Sequence, residues 1–135
     1  MKIPSETVYY TGKYLTIVFA QKQNGTCPAK DFLEAVRPPD WGKLDRIIKR
    51  LADTGKIHNT QQFRKIETPI YEVKGGSKRL AGYFKAGYFI LTHGFEKRGG
   101  GKSDKFPSSE KQKAYNIIKE FDDYCIGQDK EEGNG

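Results

Sequence analysis

Ile70-Tyr71-Glu72-Val73, then Lys78-Arg79-Leu80, then Tyr88-Phe89-Ile90-Leu91-Thr92-His93-Gly94-Phe95-Glu96-Lys97-Arg98 reads as three short strands running into a cationic, glycine-rich loop. The loop is Lys97-Arg98-Gly99-Gly100-Gly101-Lys102, with Lys105 just beyond it. β-Branched and aromatic residues dominate the runs, a composition suited to a pleated, half-buried surface. The links Gly75-Gly76-Ser77 and Lys85-Ala86-Gly87 are short enough for tight turns, so the spacing predicts an antiparallel meander over 69–74, 79–85 and 87–93. Tyr88 to Leu91 is almost continuously apolar, the pattern of a strand covered on both faces. Strands that end in lysine, arginine and glycine present a phosphate-binding rim.

Working outward, Tyr14 to Ala20 is a further strand candidate, paired through Thr11-Gly12 with Val8-Tyr9-Tyr10. Pro28 and Pro38-Pro39 bracket a short helix over Ala29 to Val36 that carries Phe32, Leu33 and Val36. Leu44, Ile47, Ile48 and Leu51 recur at i, i+3, i+4 and i+7 and form the apolar face of a second helix closed by Gly55. Lys43, Arg46, Lys49 and Arg50 fall largely on its other face. Beyond the loop, Pro107-Ser108-Ser109 precedes Ala114, Ile117, Ile118, Phe121 and Cys125, again at helical spacing. The expected order is strand, helix, helix, three strands, helix, with no internal repeat.

A chain of 135 residues fits one domain. We read 1–126 as that domain and 127–135, Gln128-Asp129-Lys130-Glu131-Glu132-Gly133-Asn134-Gly135 at its end, as a disordered acidic tail with too little apolar surface to order itself. The formal net charge is +7, and residues 71 to 105 carry eight Lys or Arg against three acids, so most of the positive field is local. Nucleic acid, an anionic membrane or an acidic protein are the natural partners of such a field. No stretch approaches the roughly 18 apolar residues of a membrane span, which points to a cytoplasmic chain with reduced cysteines. Cys27 and Cys125 lack CxxC spacing and cannot by themselves close a zinc site, so no metal or other cofactor is expected. Gly101-Lys102-Ser103 imitates the end of a nucleotide-binding P-loop but lacks its first glycine and gap.

The chemistry is expected at the rim. Arg79, His93, Lys97 and Arg98 are the candidate reactive groups, and Lys74, Lys78, Lys102 and Lys105 the candidate phosphate ligands. Arginine offers phosphate a bidentate fork and lysine a point charge. His93 titrates near neutrality and either moves a proton or caps a strand by hydrogen bonding. Tyr71, Tyr83, Tyr88 and Phe89 either stack on bases, as in a single-strand binder, or form core.

Residues 29 to 124 resemble the phage-derived, Gp49-like branch of the RelE/ParE toxin superfamily, close to the HigB toxins. The resemblance rests on Phe32-Leu33, Leu51-Ala52-Asp53-Thr54-Gly55-Lys56, Phe63-Arg64-Lys65-Ile66, Tyr71-Glu72-Val73-Lys74, Arg79 with Tyr83-Phe84, and His93-Gly94-Phe95-Glu96-Lys97-Arg98 with Lys102, Lys105 and Pro107. It implies an α+β fold in which two N-terminal helices pack on a small antiparallel sheet, with a C-terminal helix. It also implies the toxin of a type II toxin–antitoxin pair, neutralised by a cognate antitoxin of the helix-turn-helix kind. Toxins of this type cut mRNA in the ribosome without a metal: the ribose 2′-hydroxyl attacks the adjacent phosphate, leaving a 2′,3′-cyclic phosphate and a free 5′-hydroxyl. Carried over, Arg79 and Arg98 hold the phosphate oxygens, and Lys97 or His93 takes the 2′-hydroxyl proton. Lys97-Arg98 stands where the family usually has two lysines, and an arginine does not deprotonate to act as base. The alternative is a non-catalytic protein on the same fold, such as a gyrase-inhibiting toxin or a phage-derived binder of nucleic acid or ribosome.

Overall fold

A computed structural model describes residues 3–97 and 105–133, with side chains described through residue 125. The elements in chain order are β1 (Val8–Thr11), β2 (Thr16–Phe19), α1 (Pro28–Ala35), α2 (Asp40–Thr54), β3 (Phe63–Glu67), β4 (Ile70–Gly75), β5 (Lys78–Lys85), β6 (Tyr88–Glu96) and α3 (Ser108–Gly133). The strands form one six-stranded sheet in the order β1-β2-β6-β5-β4-β3. All neighbours are antiparallel except β2 and β6, which run parallel.

The three strands read from residues 69–93 are β4, β5 and β6, and they form the expected meander. The arrangement implied by the resemblance needs correction in two respects. The helices are not N-terminal, because the β1–β2 hairpin precedes them, and the sheet is mixed and larger. The physical reason lies in β2. Ile17 and Val18 are fully buried, Ile17 toward one face of the sheet and Val18 toward the other, so this segment is an interior strand. Its parallel pairing with β6 requires a long crossover, and α1, α2 and β3–β5 supply it.

The two faces are covered by different helices. Ile17, Phe19, Val73, Leu80, Phe89 and Leu91 pack against Leu33 of α1 and Leu44, Ile48 and Leu51 of α2. Val18, Ile70, Ala81, Tyr83 and Ile90 pack against Ala114, Ile117, Phe121 and Cys125 of α3. Each large side chain so buried contributes about 1.5–3 kcal/mol. β6 feeds both layers, which explains the apolar run Tyr88 to Leu91. Helix α2 ends at Gly55, whose φ of 84° suits the left-handed cap and whose N–H donates to Leu51 O at 2.7 Å. The β5–β6 turn places Ala86 at φ 51° and Gly87 at φ 84°, the sign that a tight hairpin turn demands at both central residues.

The helical backbone of α3 continues to Gly133, through residues 127–133 that composition leaves without order. No helix of the described residues is long and apolar enough to cross a membrane. Arg98, the glycine triplet Gly99–Gly101 and Lys102 lie outside the described residues.

Candidate active site at the open end of β6

β2 pairs with β6 only over Tyr88 to Leu91, so from Thr92 onward β6 has no strand on that side among the described residues. A β-bulge follows immediately. Gly82 opposes Leu91 and Ala81 opposes His93, which leaves Thr92 as the extra residue. In an unbroken strand Leu91 and His93 would share a face; the bulge re-aims the second of them. Leu91 packs under α1 and α2, whereas His93 turns to α3 and stacks on Phe95 at a centroid distance of 5.8 Å. Gly94 comes up against α1, where a Cβ would meet Phe32 at 2.0 Å. Glycine is required at that close approach.

Beside this strand end lies a cavity of about 510 Å³, lined by Arg79, Lys97, Lys105, Glu72 and Glu110 together with Phe32, Phe95 and Pro107. A second cavity of about 380 Å³ adjoins it and shares Arg79 and Lys97, adding Lys74, Gln61 and Gly76. The strand ladder aligns the polar groups. Glu72, Ala81 and His93 are successive cross-strand partners, as are Lys74, Arg79 and Phe95.

Arg79 is 7% exposed, and its Nη1 donates to Gly76 O at 2.6 Å and to Lys78 O at 3.1 Å. Its Nε lies 3.8 Å from Glu72 Oε2, while Arg64 Nε donates to Glu72 Oε1 at 2.7 Å. The buried Glu72 carboxylate is thus held between two guanidinium groups, the arrangement a buried charge needs. Lys97 is fixed by its backbone N–H, which donates to Ser77 O at 2.8 Å and holds the end of β6 against the β4–β5 turn.

His93 is 2% exposed and does not line the cavity. Its Nε2 lies 3.1 Å from Glu110 Oε1, and its Nδ1 lies 3.2 Å from Thr92 Oγ1. A carboxylate only accepts, so Nε2 carries the proton toward Glu110, while the Thr92 hydroxyl donates to Ala81 O at 3.2 Å. Burial pushes the imidazole below the usual histidine range, against the pull of Glu110, which raises it. Glu110 is therefore the group that meets the cavity, with His93 behind it. It sits in the first turn of α3, where an acid is favoured by the helix dipole.

The sequence-predicted residues divide accordingly. Arg79, Lys97, Lys74 and Lys105 come together at the two cavities, and His93 reaches them only through Glu110. Lys78 lines neither cavity and pairs with Glu96, a lining residue of the larger one, at 3.2 Å. Glu72 and Glu110 were not among the candidates. The signal for Glu110 was its place in Pro107-Ser108-Ser109-Glu110, an acid opening a helix directly after a basic loop. Among the described residues no group of three or more His, Cys, Asp or Glu is set to hold a metal ion. No protein-family model matches the chain, and no curated protein matches it significantly.

Proposed function

We propose that the chain is a metal-independent endoribonuclease, the toxin of a type II toxin–antitoxin pair acting on mRNA at the ribosome and held inactive by a helix-turn-helix antitoxin. The observation that carries this reading is the meeting of Arg79, Lys97 and Lys105 with the Glu110 carboxylate at one open cavity. A phosphodiester in that cavity meets cations suited to the charge that grows on its non-bridging oxygens in the transition state. The 2′-oxygen attacks phosphorus and its proton passes to Glu110, whose other side is held by His93 Nε2–H. The bond from phosphorus to the 5′-oxygen breaks, and the Lys97 ammonium gives that oxygen its proton. Lysine ordinarily carries its proton at neutral pH, so it serves as the acid. This assignment moves the base from Lys97 or His93 to Glu110, because a buried imidazole behind a carboxylate has no direct reach.

One observation favours the second reading, a non-catalytic protein on the same scaffold. The Arg79 guanidinium is already engaged with two carbonyls and Glu72, so it also serves to hold the β4–β5 turn. The discriminating experiment expresses the chain in a translating extract and maps mRNA ends bearing 5′-hydroxyls. Lys97→Ala is expected to slow the appearance of such ends by roughly 10²- to 10³-fold, the cost of a lost electrostatic donor. Intact mRNA in the presence of active wild-type protein would sink the nuclease reading. Growth arrest that persists with intact mRNA would favour the non-catalytic one.

A further inference from the structure

α2 carries Lys43, Arg46 and Arg50 at i, i+3 and i+7, three exposed cations along about 10 Å of one helix face. With Lys56 beyond the helix end, none of them has a carboxylate within ion-pair distance among the described residues. These cations line grooves that join one another. One groove, of about 470 Å³, is lined by Arg50, Lys56, His58 and Gln62. The next, of about 480 Å³, shares Arg50 and Gln62 with it and adds Lys43, Arg46 and Lys74. Lys74 is in turn shared with the smaller cavity beside the candidate active site, and that cavity shares Arg79 and Lys97 with the larger one. The shared residues set the four in series, a path from the end of α2 to Lys105.

We infer that this path binds the phosphodiester backbone of a single nucleic-acid strand and leads it across α2 into the Arg79–Lys97 cavity. The charge is linear and repeats by helical turns, which suits a linear polyanion. Two of its cations on α2 are arginines, whose fork fits phosphate oxygens. Gln61 and Gln62 stand between the α2 cations and the cavity and offer neutral donors and acceptors to bases. The acids near the path are few or engaged. Asp40 lies against Gly76 at its side, Glu72 is paired with Arg64, Glu96 with Lys78, and Glu110 with His93. The path does not depend on cleavage: a strand held along it need not be cut.

The test uses the full chain and a 2′-O-methyl oligouridylate of about twelve nucleotides, a strand that no 2′-hydroxyl mechanism cleaves and that falls within the site sizes of single-strand binders. Affinity is read by fluorescence anisotropy against salt. Each backbone phosphate contact contributes about 0.7 to the salt slope for single strands, so Lys43→Gln/Arg46→Gln/Arg50→Gln is expected to flatten the slope by about 2 and to weaken binding about a hundredfold near 0.1 M salt. The control Lys13→Gln/Lys30→Gln/Lys119→Gln removes the same net charge elsewhere and is expected to cost less than about threefold. A trinucleotide, which fills the cavity alone, is expected to bind both variants alike. Matching losses in the two triple variants, or an unchanged affinity in the first, would overturn the path. Poly-glutamate that bound as tightly as the oligonucleotide, and lost as much on the α2 substitutions, would overturn it in favour of an acidic protein. Equal binding of a deoxyribose strand supports it, and preference for the ribose form identifies RNA as the source.

Discussion

On the side of the sheet covered by α2, Lys43, Arg46 and Arg50 stand without carboxylate partners among the described residues. On the side covered by α3, Lys111 meets Glu67 at 2.9 Å, Lys85 meets Asp122 at 3.1 Å and Lys119 meets Asp123 at 3.3 Å. Exposed pairs of that kind contribute about 0–1 kcal/mol, so their consequence is electrostatic more than structural. They cancel charge over one layer, whereas on α2 the Asp45–Lys49 pair at 3.2 Å leaves Lys43, Arg46 and Arg50 uncancelled among the described residues. The layers also differ beneath the surface. Under α1 and α2 the buried cluster is apolar, whereas on the α3 side it gives way at one end to Glu72, Arg79 and His93. The polar end and the uncancelled field meet at the same cavities, and that coincidence gives the site its direction.

Both layers are true core, and deleting their largest side chains has the largest expected effect. Phe89 under the helix pair and Phe121 under α3 are each fully buried. Phe89→Ala and Phe121→Ala are each expected to cost about 3–5 kcal/mol in urea unfolding, the range for a deleted core phenylalanine. A cost under about 1 kcal/mol for Phe121→Ala alone would make α3 an appendage, and the two-layer comparison would fail.

The layers were unequally legible in the sequence. Leu44, Ile47, Ile48 and Leu51 announced α2 by period, and Ala114, Ile117, Ile118, Phe121 and Cys125 announced α3, because each helix has one apolar stripe. β3 was missed as a strand, since Phe63-Arg64-Lys65-Ile66-Glu67 is charged and forms a sheet edge with one neighbour. The parallel contact of β2 with β6 joins residues about seventy positions apart, and no local pattern encodes such a pairing. The site shows the same limit. Arg79 and Lys97 are legible as cations at strand ends, and Lys105 as one beside the adjoining loop. His93 reads as a rim residue because it stands at the end of a strand just before Lys97 and Arg98, and one bulge residue, Thr92, turns it toward α3. Glu72 read as an ordinary strand residue until the fold brought Arg64 and Arg79 to it.

Glu72 anchors the polar end of the α3 side. Its side chain is 3% exposed between Arg64 and Arg79. Glu72→Gln removes the buried carboxylate charge that Arg64 and Arg79 share, and breaking a buried pair costs about 3–5 kcal/mol. Arg64 is partly solvated, so the expected loss is nearer the lower end, about 3 kcal/mol in urea unfolding. Lys119→Ala, which breaks an exposed pair on the same side of the sheet, is expected to change stability by less than about 0.5 kcal/mol. Equal costs for the two would mean that burial does not distinguish the pairs.

The smallest effect is a pH dependence confined to the α3 side. Among the described residues, Thr92 and Phe95 of β6 and Glu110 of α3 meet the His93 ring, and Lys113 of α3 acts on it from farther away. Burial lowers its affinity for a proton more than Glu110 raises it. The unfolded chain therefore binds the proton first, at about pH 6.5, and stability present above that pH is lost as pH falls toward the lower folded value. Glu67, held below the usual carboxylate range chiefly by Tyr115, acts in a separate and more acidic window. Urea unfolding between about pH 7 and 5 is expected to show stability falling with acidification in the wild type, and less so in His93→Gln. Stability that rose on acidification in this window would reverse the balance, with the ion pair to Glu110 outweighing burial. The imidazole behind the cavity would then be charged, and Glu110 would be a poorer base than the cleavage scheme requires.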